Sequence, residues 1–364
     1  MNRMRARAGS AAGTPGRVRF RIGAQAAEFS VVEPDDPAGR RVRLSCRSSI
    51  WTPWGAPAMR MIVLAAGQGS RLRPLTDGPK ACVRFLGRPL IDWTLTLATE
   101  SGLTENVIVG GYRSDLLPRD RARVLLNNDH LGTSVVESLI LAEEWFGDGF
   151  VMSYGDIVYR PEVLRAVIAS TAEIGVVVDT DWLGYWQRRF GDPYEDAVSL
   201  RMAPDGTIRS IGQTVSRIED VQARYIGLVV FRGRGVKALR RACIRARSDA
   251  AYRRPILGHK QSMAKMDITD VLDELAVSGD VPVKAIQIRG GWADIDRPED
   301  LAIAEERWTA GDGNVVVVPA PVAAPPNPER PGSVAGAPAV PLSGARTAAE
   351  PLMVPTIFRS SRRW

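Results

Sequence analysis

The stretch that decides the fold is Leu64-Ala65-Ala66-Gly67-Gln68-Gly69-Ser70-Arg71-Leu72-Arg73-Pro74-Leu75-Thr76, followed closely by Pro79-Lys80. It continues a short apolar run, 61–65, that predicts a buried strand. Gly67 and Gly69 permit backbone conformations that bring N–H groups against a phosphate, and Arg71 and Lys80 can neutralise its charge. A strand followed by Gly-x-Gly also fits an ordinary tight turn, so the surrounding sequence has to decide between the two.

Two familiar phosphate-binding patterns do not fit this loop. Leu72 stands where a dinucleotide-binding loop has its third glycine. No Gly-Lys-Ser/Thr sequence follows, so the stretch is not a Walker loop. The loop therefore predicts another kind of nucleotide site, formed by Leu64, Ala65, Ala66, Gly67, Gly69, Ser70, Arg71 and Lys80.

Strand-like and helix-like segments alternate on the C-terminal side of this loop. The alternation indicates βαβ units and an α/β fold, Rossmann-like, with a mainly parallel sheet and helices on both faces. The segment 174–231 is richer in β-like runs and is interpreted as a small mixed β insertion that covers the edge of the sheet. The predicted strands are 61–65, 106–109, 124–126, 150–153 and 283–288, and the predicted helices are 89–101, 135–145, 161–170, 267–278 and 298–309.

Composition divides the chain into three predicted parts. Residues 1–59 are rich in arginine without sustained periodicity and predict a flexible, basic extension. Residues 60–309 hold the predicted domain, and residues 310–364 form a Pro/Ala-rich segment that predicts a disordered tail. Because Met59 and Met61 directly precede the first convincing strand, one hypothesis places the natural start of the protein there.

Charge and cysteine content exclude several classes of function. Of the net charge of +7, the flanks 1–60 and 310–364 carry +7 and +2, which leaves −2 for 61–309 and argues against a nucleic-acid partner. No apolar run approaches the roughly 20 residues that cross a bilayer, so we expect a cytoplasmic protein without a membrane partner. Three cysteines and two histidines supply neither a disulfide framework nor zinc or Ser-His-Asp chemistry.

Three aspartates are candidate metal ligands. Asp156 follows the predicted strand 150–153, at the carboxyl end of a parallel sheet, where ligands bind. Asp294 and Asp296 lie at i and i+2 of an extended segment, so their side chains project to the same side. Carboxylate oxygens suit Mg²⁺. The alternatives are a turn aspartate for Asp156 and a helix N-terminal residue for Asp296.

These motifs together resemble the nucleotidyltransferase family that makes NDP-sugars and CDP-alcohols. Ser153-Tyr154-Gly155-Asp156 is similar to its first metal aspartate, and Trp292-Ala293-Asp294-Ile295-Asp296 is similar to its Trp-x-(Glu/Asp)-Ile-Asp motif. The resemblance implies the nucleotidyltransferase fold and a Mg²⁺ ion held by Asp156, Asp294 and Asp296. Two departures stand out: only Asp77 and Gly78 separate Thr76 from Pro79-Lys80, and Asp294 replaces the commoner Glu.

A further motif is the run Asp179-Thr180-Asp181-Trp182, which continues to Trp186, Arg189-Phe190 and Asp196-Ala197. This run resembles the corresponding segment of bacterial phosphocholine and phosphonate cytidylyltransferases. This resemblance implies CTP and a small phosphorylated or phosphonylated acceptor. Aromatic faces and carboxylates can hold a small cationic head group. Core packing of the tryptophans and capping of a helix by Asp181 remain equally open. The predicted substrate-binding residues are Asp179, Asp181, Trp182, Trp186, Arg189 and Tyr225.

The segment 127–134 departs from that subgroup, with His130 in an aromatic position and Ser134 in the position of an asparagine. Either the segment contacts the nucleotide or acceptor, or Ser134 caps the helix that follows.

The sequence therefore predicts a Mg²⁺-dependent cytidylyltransferase that transfers CMP from CTP to a small phosphorylated or phosphonylated amine or alcohol. Its predicted catalytic residues are Arg71, Lys80 and Asp156. A sugar-1-phosphate nucleotidyltransferase shares the loop and the metal site and is the nearest alternative. An inactive nucleotide-binding regulatory module is the alternative from another class. The sequence leaves open whether the chain forms a homodimer.

Overall fold

The computed structural model describes residues 17–22, 25–31, 44–45, 59–247 (without 74 and 216), 265–310 and 315–318. The chain separates into two compact units, 1–57 and 58–364. Most of the predicted extension (1–59) and of the predicted tail (310–364) lies outside the described residues, so the three-part division stays a prediction. Among the described helices, none combines the length and the apolar character needed to span a membrane.

The first unit contains three antiparallel strands: β1 (Arg17–Ile22), β2 (Gln25–Val31) and β3 (Leu44–Ser45). β1 and β2 pair from Arg17 opposite Ser30 to Ile22 opposite Gln25. The residue pattern in this region predicts no strand, so these strands are a finding of the structure.

The second unit contains the predicted α/β domain. Its strands, in chain order, are β4 (Arg60–Ala65), β5 (Arg84–Phe85), β6 (Arg88–Pro89), β7 (Val107–Gly110), β8 (Arg123–Leu126), β9 (Gly149–Tyr154), β10 (Ile157–Tyr159), β11 (Ile174–Asp179), β12 (Val198–Met202), β13 (Ile208–Thr214), β14 (Arg224–Arg232), β15 (Val283–Arg289), β16 (Trp292–Asp294) and β17 (Val316–Val317). Its helices are α1 (Leu90–Glu100), α2 (Val135–Leu141), α3 (Pro161–Ala169), α4 (Trp182–Phe190), α5 (Arg234–Arg247), α6 (Ile268–Ser278) and α7 (Pro298–Thr309).

Eight of these strands form one sheet in the order β17-β15-β11-β14-β9-β4-β7-β8. The pairs β4–β7, β4–β9, β7–β8 and β11–β15 are parallel, whereas β14 is antiparallel to both of its neighbours. Helices α1 and α3 contact each other, and α2 and α5 both contact α6, so the helices form two groups. The prediction of an α/β fold with a mainly parallel sheet is confirmed.

The segment 174–231 does not lie at the sheet edge, and that part of the prediction is wrong. Its first and last strands, β11 and β14, occupy the middle of the eight-stranded sheet. Eight of the nine residues of β14 are buried, which is typical of a central strand. Only 180–223 leaves the sheet, with α4 and the antiparallel pair β12–β13, and this smaller segment is the mixed insertion.

Gly155 allows the chain to turn closely over β4 between β9 and β10. Its N–H donates to the carbonyl of Leu64 at 2.9 Å. A Cβ at this position would lie 2.9 Å from the Cβ of Ala65 and 3.1 Å from the oxygen of Leu64. The close approach places the following residue, Asp156, beside the end of β4.

We expect Gly155→Ala to lower the free energy of unfolding by about 1–3 kcal/mol, because the added methyl group has no space. Gly184 in α4 is the matched control, since a Cβ there meets nothing within 4 Å. Gly184→Ala should stabilise the protein by about 0.5–1 kcal/mol, because alanine is the better helix former. Urea denaturation of both variants measures the difference, and equal effects would contradict the close contact at Gly155.

Candidate active site

Three buried aspartates converge at the carboxyl ends of β4 and β9. One carboxylate oxygen from each of Asp156, Asp294 and Asp296 lies within 4.8 Å of the others. The short antiparallel pair β10–β16 brings them together, with Ile157 opposite Asp294. The N–H of Ile295 also donates to the carbonyl of Asp156 at 2.9 Å. The structure thus brings together the three residues that the sequence singles out as metal ligands.

Lys80 lies among these carboxylates. It begins a short 3₁₀ turn directly after Pro79, and its ammonium group contacts Asp156 Oδ2 at 3.1 Å and also Asp296 Oδ1. Burial lowers the pKa of Lys80, but the charges of Asp156 and Asp296 outweigh this effect and raise it above the ordinary lysine value. The side chain is therefore a cation that offsets two of the three carboxylates.

The glycine loop leaves room for that lysine. Gly69 has the left-handed backbone angle φ 59°, and a Cβ there would collide with Cγ of Lys80. Arg71 follows in a second 3₁₀ turn; its guanidinium lies 3.5 Å from Asp296 Oδ2 and its side chain is 41% exposed. Of the predicted catalytic residues, Lys80 and Asp156 are buried and paired, and Arg71 is on the solvent side of the cluster.

A shallow pocket opens between the loop and the start of α2. It brings together the end of β4, the first loop residues and the 127–134 segment that the sequence singled out. Ser134 directly precedes α2, but its side chain makes no capping hydrogen bond to that helix. The lining residues are Leu64, Ala66, Gly67, His130, Thr133, Ser134, Val135 and Ser138.

The other predicted nucleotide-binding residues border the same region. Ala65 ends β4 and is buried, whereas Ser70 begins the 3₁₀ turn and is exposed. The carbonyl of Ala66 accepts a hydrogen bond from the N–H of Tyr112 at 3.2 Å.

Arg189 and Asp300 form a buried ion pair next to the aspartates. The guanidinium of Arg189 donates to both carboxylate oxygens of Asp300, at 2.9 and 2.8 Å, and to Asp294 Oδ2 at 3.1 Å. Burial lowers the pKa of Arg189, but the charges of Asp294 and Asp300 raise it well above the ordinary value. Arg189 was predicted to bind substrate; the structure places it behind Asp294, with its side chain fully buried.

Two residues of this region were missed by sequence reasoning. The only sequence signal at Asp300 is an acidic residue in the first turn of α7. No sequence signal points to Tyr185. In the structure, the Tyr185 hydroxyl accepts a hydrogen bond from the N–H of Asp294 at 3.1 Å. Burial raises the pKa of Tyr185 to about 12, so its hydroxyl keeps its proton at neutral pH.

Trp182 and Trp186, the two tryptophans that could hold a cationic head group, are core residues. Core packing is one of the two alternatives that the sequence left open for them. Trp182 donates its indole N–H to the carbonyl of Val221 at 3.3 Å. Trp186 is fully buried and donates to the carbonyl of Glu195 at 2.8 Å. Its ring already has a cationic partner, the guanidinium of Arg224 at 3.7 Å from the ring centroid.

The remaining substrate-binding candidates have different environments. Asp179 is fully buried and accepts hydrogen bonds from the indole of Trp292 at 2.7 Å and from the N–H of Asp181 at 2.9 Å. Burial raises the pKa of Asp179, and these hydrogen bonds oppose the increase. Asp181 is exposed and makes no capping bond to α4. Tyr225 is buried beside Tyr154, with 5.9 Å between ring centroids. Their roles toward substrate stay predictions.

The aspartate cluster fits a divalent cation. Oδ1 of Asp156 is buried and accepts no hydrogen bond within the described part of the chain. All three side chains offer carboxylate oxygens, the ligand type that hard divalent cations take. A buried oxygen without a donor beside two further carboxylates is an arrangement that a bound cation would satisfy.

The fold and this site define a nucleotide-transferring enzyme of the α/β class. Residues 61–261 match the MobA-like NTP transferase domain. CTP:phosphoglutamine cytidylyltransferase of Campylobacter jejuni is 31% identical over 264 residues, which cover 68% of this chain and 100% of that protein. The chain therefore belongs to the MobA-like NTP transferase domain family, and it is a nucleotidyltransferase.

Two further similarities are more distant. Choline-phosphate cytidylyltransferase of Streptococcus pneumoniae is 28% identical over 142 residues, or 38% of this chain and 61% of that protein. The solved structure of the inositol-1-phosphate CTP transferase from T. maritima superposes with a TM-score of 0.52 at 24% identity, over 69% of this chain and 96% of the other. At this identity the structural similarity supports the fold.

We expect Lys80→Met to lower the free energy of unfolding by about 3–5 kcal/mol, because it leaves buried carboxylates without their cation. Lys284→Met is the matched control: this lysine pairs with the exposed Asp205 at 3.0 Å. Its loss should change stability by less than about 1 kcal/mol. Urea denaturation of metal-free protein measures both, and similar small effects would contradict the electrostatic role of Lys80.

Proposed function

We propose that the protein is a Mg²⁺-dependent cytidylyltransferase that transfers CMP from CTP to a small phosphorylated or phosphonylated acceptor. The observation that carries this proposal is the convergence of Asp156, Asp294 and Asp296 with Lys80 beside the glycine loop. Opposite charges next to a glycine loop suit a triphosphate and the cation that accompanies it.

In the proposed reaction an acceptor oxygen attacks the α-phosphorus of CTP. A new bond forms between phosphorus and the acceptor oxygen, and the bond to the β-phosphate oxygen breaks, so that pyrophosphate leaves. The attacking oxygen is already anionic, so the protein does not need a general base. Positioning and electrostatic stabilisation supply the rate acceleration.

Each charged residue has a distinct part in this proposal. Asp156, Asp294 and Asp296 would hold the metal ion, which when bound neutralises charge on the phosphate oxygens. Arg71, with its partly exposed side chain, can reach a triphosphate at the mouth of the site. Lys80 lies at the base of the same loop and adds a second positive charge. The domain that carries these residues is proposed to span 60–309.

The pocket between the loop and α2 suits the nucleoside part of CTP. Its lining includes the small residues Ala66 and Gly67 and the polar residues His130, Ser134 and Ser138. A mixture of small residues and polar groups can hold a flat, polar base in a fixed orientation. This position supports a contact of the 127–134 segment with the nucleotide.

For the acceptor, we favour a phosphorylated amide or primary amine over a quaternary ammonium compound. The indole N–H groups of Trp182 and Trp186 donate to backbone carbonyls inside the core. Both side chains are also buried, so neither ring face is presented to a trimethylammonium group. The full-length relative from C. jejuni is named for phosphoglutamine, which agrees with this preference.

Pyrophosphate release tests the reaction directly. The full chain is assayed with each of the four NTPs in combination with phosphoglutamine, phosphocholine, 2-aminoethylphosphonate and glucose 1-phosphate. We expect release with CTP and phosphoglutamine or 2-aminoethylphosphonate, and less with phosphocholine. Release only with glucose 1-phosphate would favour the sugar-nucleotide alternative, and no release with any pair would favour an inactive nucleotide-binding module.

We expect EDTA to abolish turnover and added Mg²⁺ to restore it. Asp156→Asn should lower kcat by several orders of magnitude, because the metal loses a charged ligand. Asp205→Asn is the control, since Asp205 lies in an exposed turn and pairs with Lys284. Near-normal turnover of Asp156→Asn, or turnover that resists EDTA, would remove the metal from the mechanism.

A further inference from the structure

We propose that Arg189 and Asp300 are positioning residues that set the geometry of Asp294 and Asp296 and thereby give the site its preference for Mg²⁺ over larger cations. This inference rests on the proposed function, because it assumes that the three aspartates hold a divalent ion. It goes further by assigning a task to two residues that do not contact substrate.

Arg189 holds one ligand directly. Its side chain is fully buried, and one N–H donates to Asp294 Oδ2 at 3.1 Å while two others hold Asp300. The guanidinium is a rigid, planar group, so three hydrogen bonds from it define the position of each partner. Asp294 therefore presents its carboxylate in one orientation.

Asp300 holds the second ligand through the backbone. Its Oδ2 accepts hydrogen bonds from the N–H of Asp296 at 3.0 Å and from the N–H of Arg297 at 2.9 Å. The same carboxylate thus joins Arg189 to the start of α7 and to the main chain that carries Asp296. One ion pair thus connects Asp294, the last residue of β16, with Asp296, which follows the strand.

The surroundings of Arg189 leave it little freedom. Its guanidinium lies 4.6 Å from the ring centroid of Trp186 and 4.9 Å from that of Phe190. Tyr185 fixes Asp294 in addition, because its hydroxyl accepts a hydrogen bond from the N–H of Asp294 at 3.1 Å. All three aromatic residues belong to α4, so this helix determines where Asp294 lies.

This rigidity matters because divalent cations differ in their tolerance. Mg²⁺ demands nearly ideal octahedral geometry at about 2.0–2.1 Å, whereas Ca²⁺ accepts six to eight oxygens at about 2.3–2.6 Å in flexible arrangements. A displaced carboxylate therefore weakens Mg²⁺ binding more than Ca²⁺ binding. The Mg²⁺/Ca²⁺ affinity ratio reports the geometry of the ligands separately from the stability of the fold.

The test is Arg189→Lys, which keeps the positive charge but cannot make the three-bond arrangement. Mg²⁺ and Ca²⁺ affinities of the full, nucleotide-free chain are measured by displacement of Mn²⁺, followed by electron paramagnetic resonance. We expect Mg²⁺ affinity to fall by about 10- to 100-fold, the usual effect of losing a partner behind a metal ligand. Ca²⁺ affinity should fall less, so the ratio decreases.

Arg232→Lys is the matched control. Arg232 is a half-buried arginine that, like Arg189, donates several hydrogen bonds; its acceptors are carbonyls, among them those of Ser170 at 2.6 Å and Val167 at 3.0 Å. It ends β14 opposite Gly149, at the end of the sheet away from the aspartates. Its substitution should lower stability and leave the Mg²⁺/Ca²⁺ ratio unchanged.

An unchanged ratio in folded Arg189→Lys, or an equal change in Arg232→Lys, would overturn the proposal. If Arg189→Lys does not fold, Asp300→Asn carries the same test. Its amide oxygen can still accept from the backbone, but its NH₂ group cannot accept from Arg189. Failure of the wild-type chain to bind any divalent ion would instead count against the proposed function, which keeps the two outcomes separate.

Discussion

Mutual repulsion of three buried carboxylates is the constraint around which this domain is organised. Asp156, Asp294 and Asp296 lie close enough to share one ion, and burial strengthens their repulsion. The protein offsets that repulsion with Lys80 and Arg189, each in direct contact with a cluster aspartate. Because these cations come from the glycine-loop region and from α4, the electrostatic balance joins segments that are distant along the chain.

The same constraint explains why the backbone is so closely packed here. The side chain of Lys80 passes over Gly69 on its way to the carboxylates. Gly155 packs directly on β4 and so places Asp156 beside the other two aspartates. A side chain at either glycine would separate a charge from its partner. The glycine loop is thus as important for the internal ion cluster as it is for any phosphate that binds outside it.

Much of this architecture could be predicted from local pattern. Apolar runs predict β4 and β9 because both strands are almost entirely buried. The i, i+2 spacing of Asp294 and Asp296 predicts a shared direction, and the strand before Asp156 predicts its place at the sheet end. These features depend on residues that are neighbours in sequence, so periodicity and spacing contain them.

The features that escaped prediction depend on distant pairs. Arg189 and Asp300 are separated by 111 positions, and no local pattern couples a helix arginine to an aspartate in another helix. The central place of β14 is equally invisible, because an apolar run does not specify its neighbours in a sheet. The contact of the buried Trp186 ring with Arg224, which comes from that same strand, is a distant pair of the same kind.

The path of the chain through the middle of the sheet also has an evolutionary consequence. β11 ends at Asp179 and β14 begins at Arg224, and these two residues are paired neighbours in the ladder. The chain therefore leaves and re-enters the sheet at almost the same point. Within this excursion, α4 is tied to Asp294 through Arg189 and Tyr185. Insertions, deletions or replacements between the end of α4 and the start of β14 can accumulate without shifting the register of any sheet strand. The protein can thus diverge by local exchange of that later part of the excursion, while α4 and the aspartates stay in place.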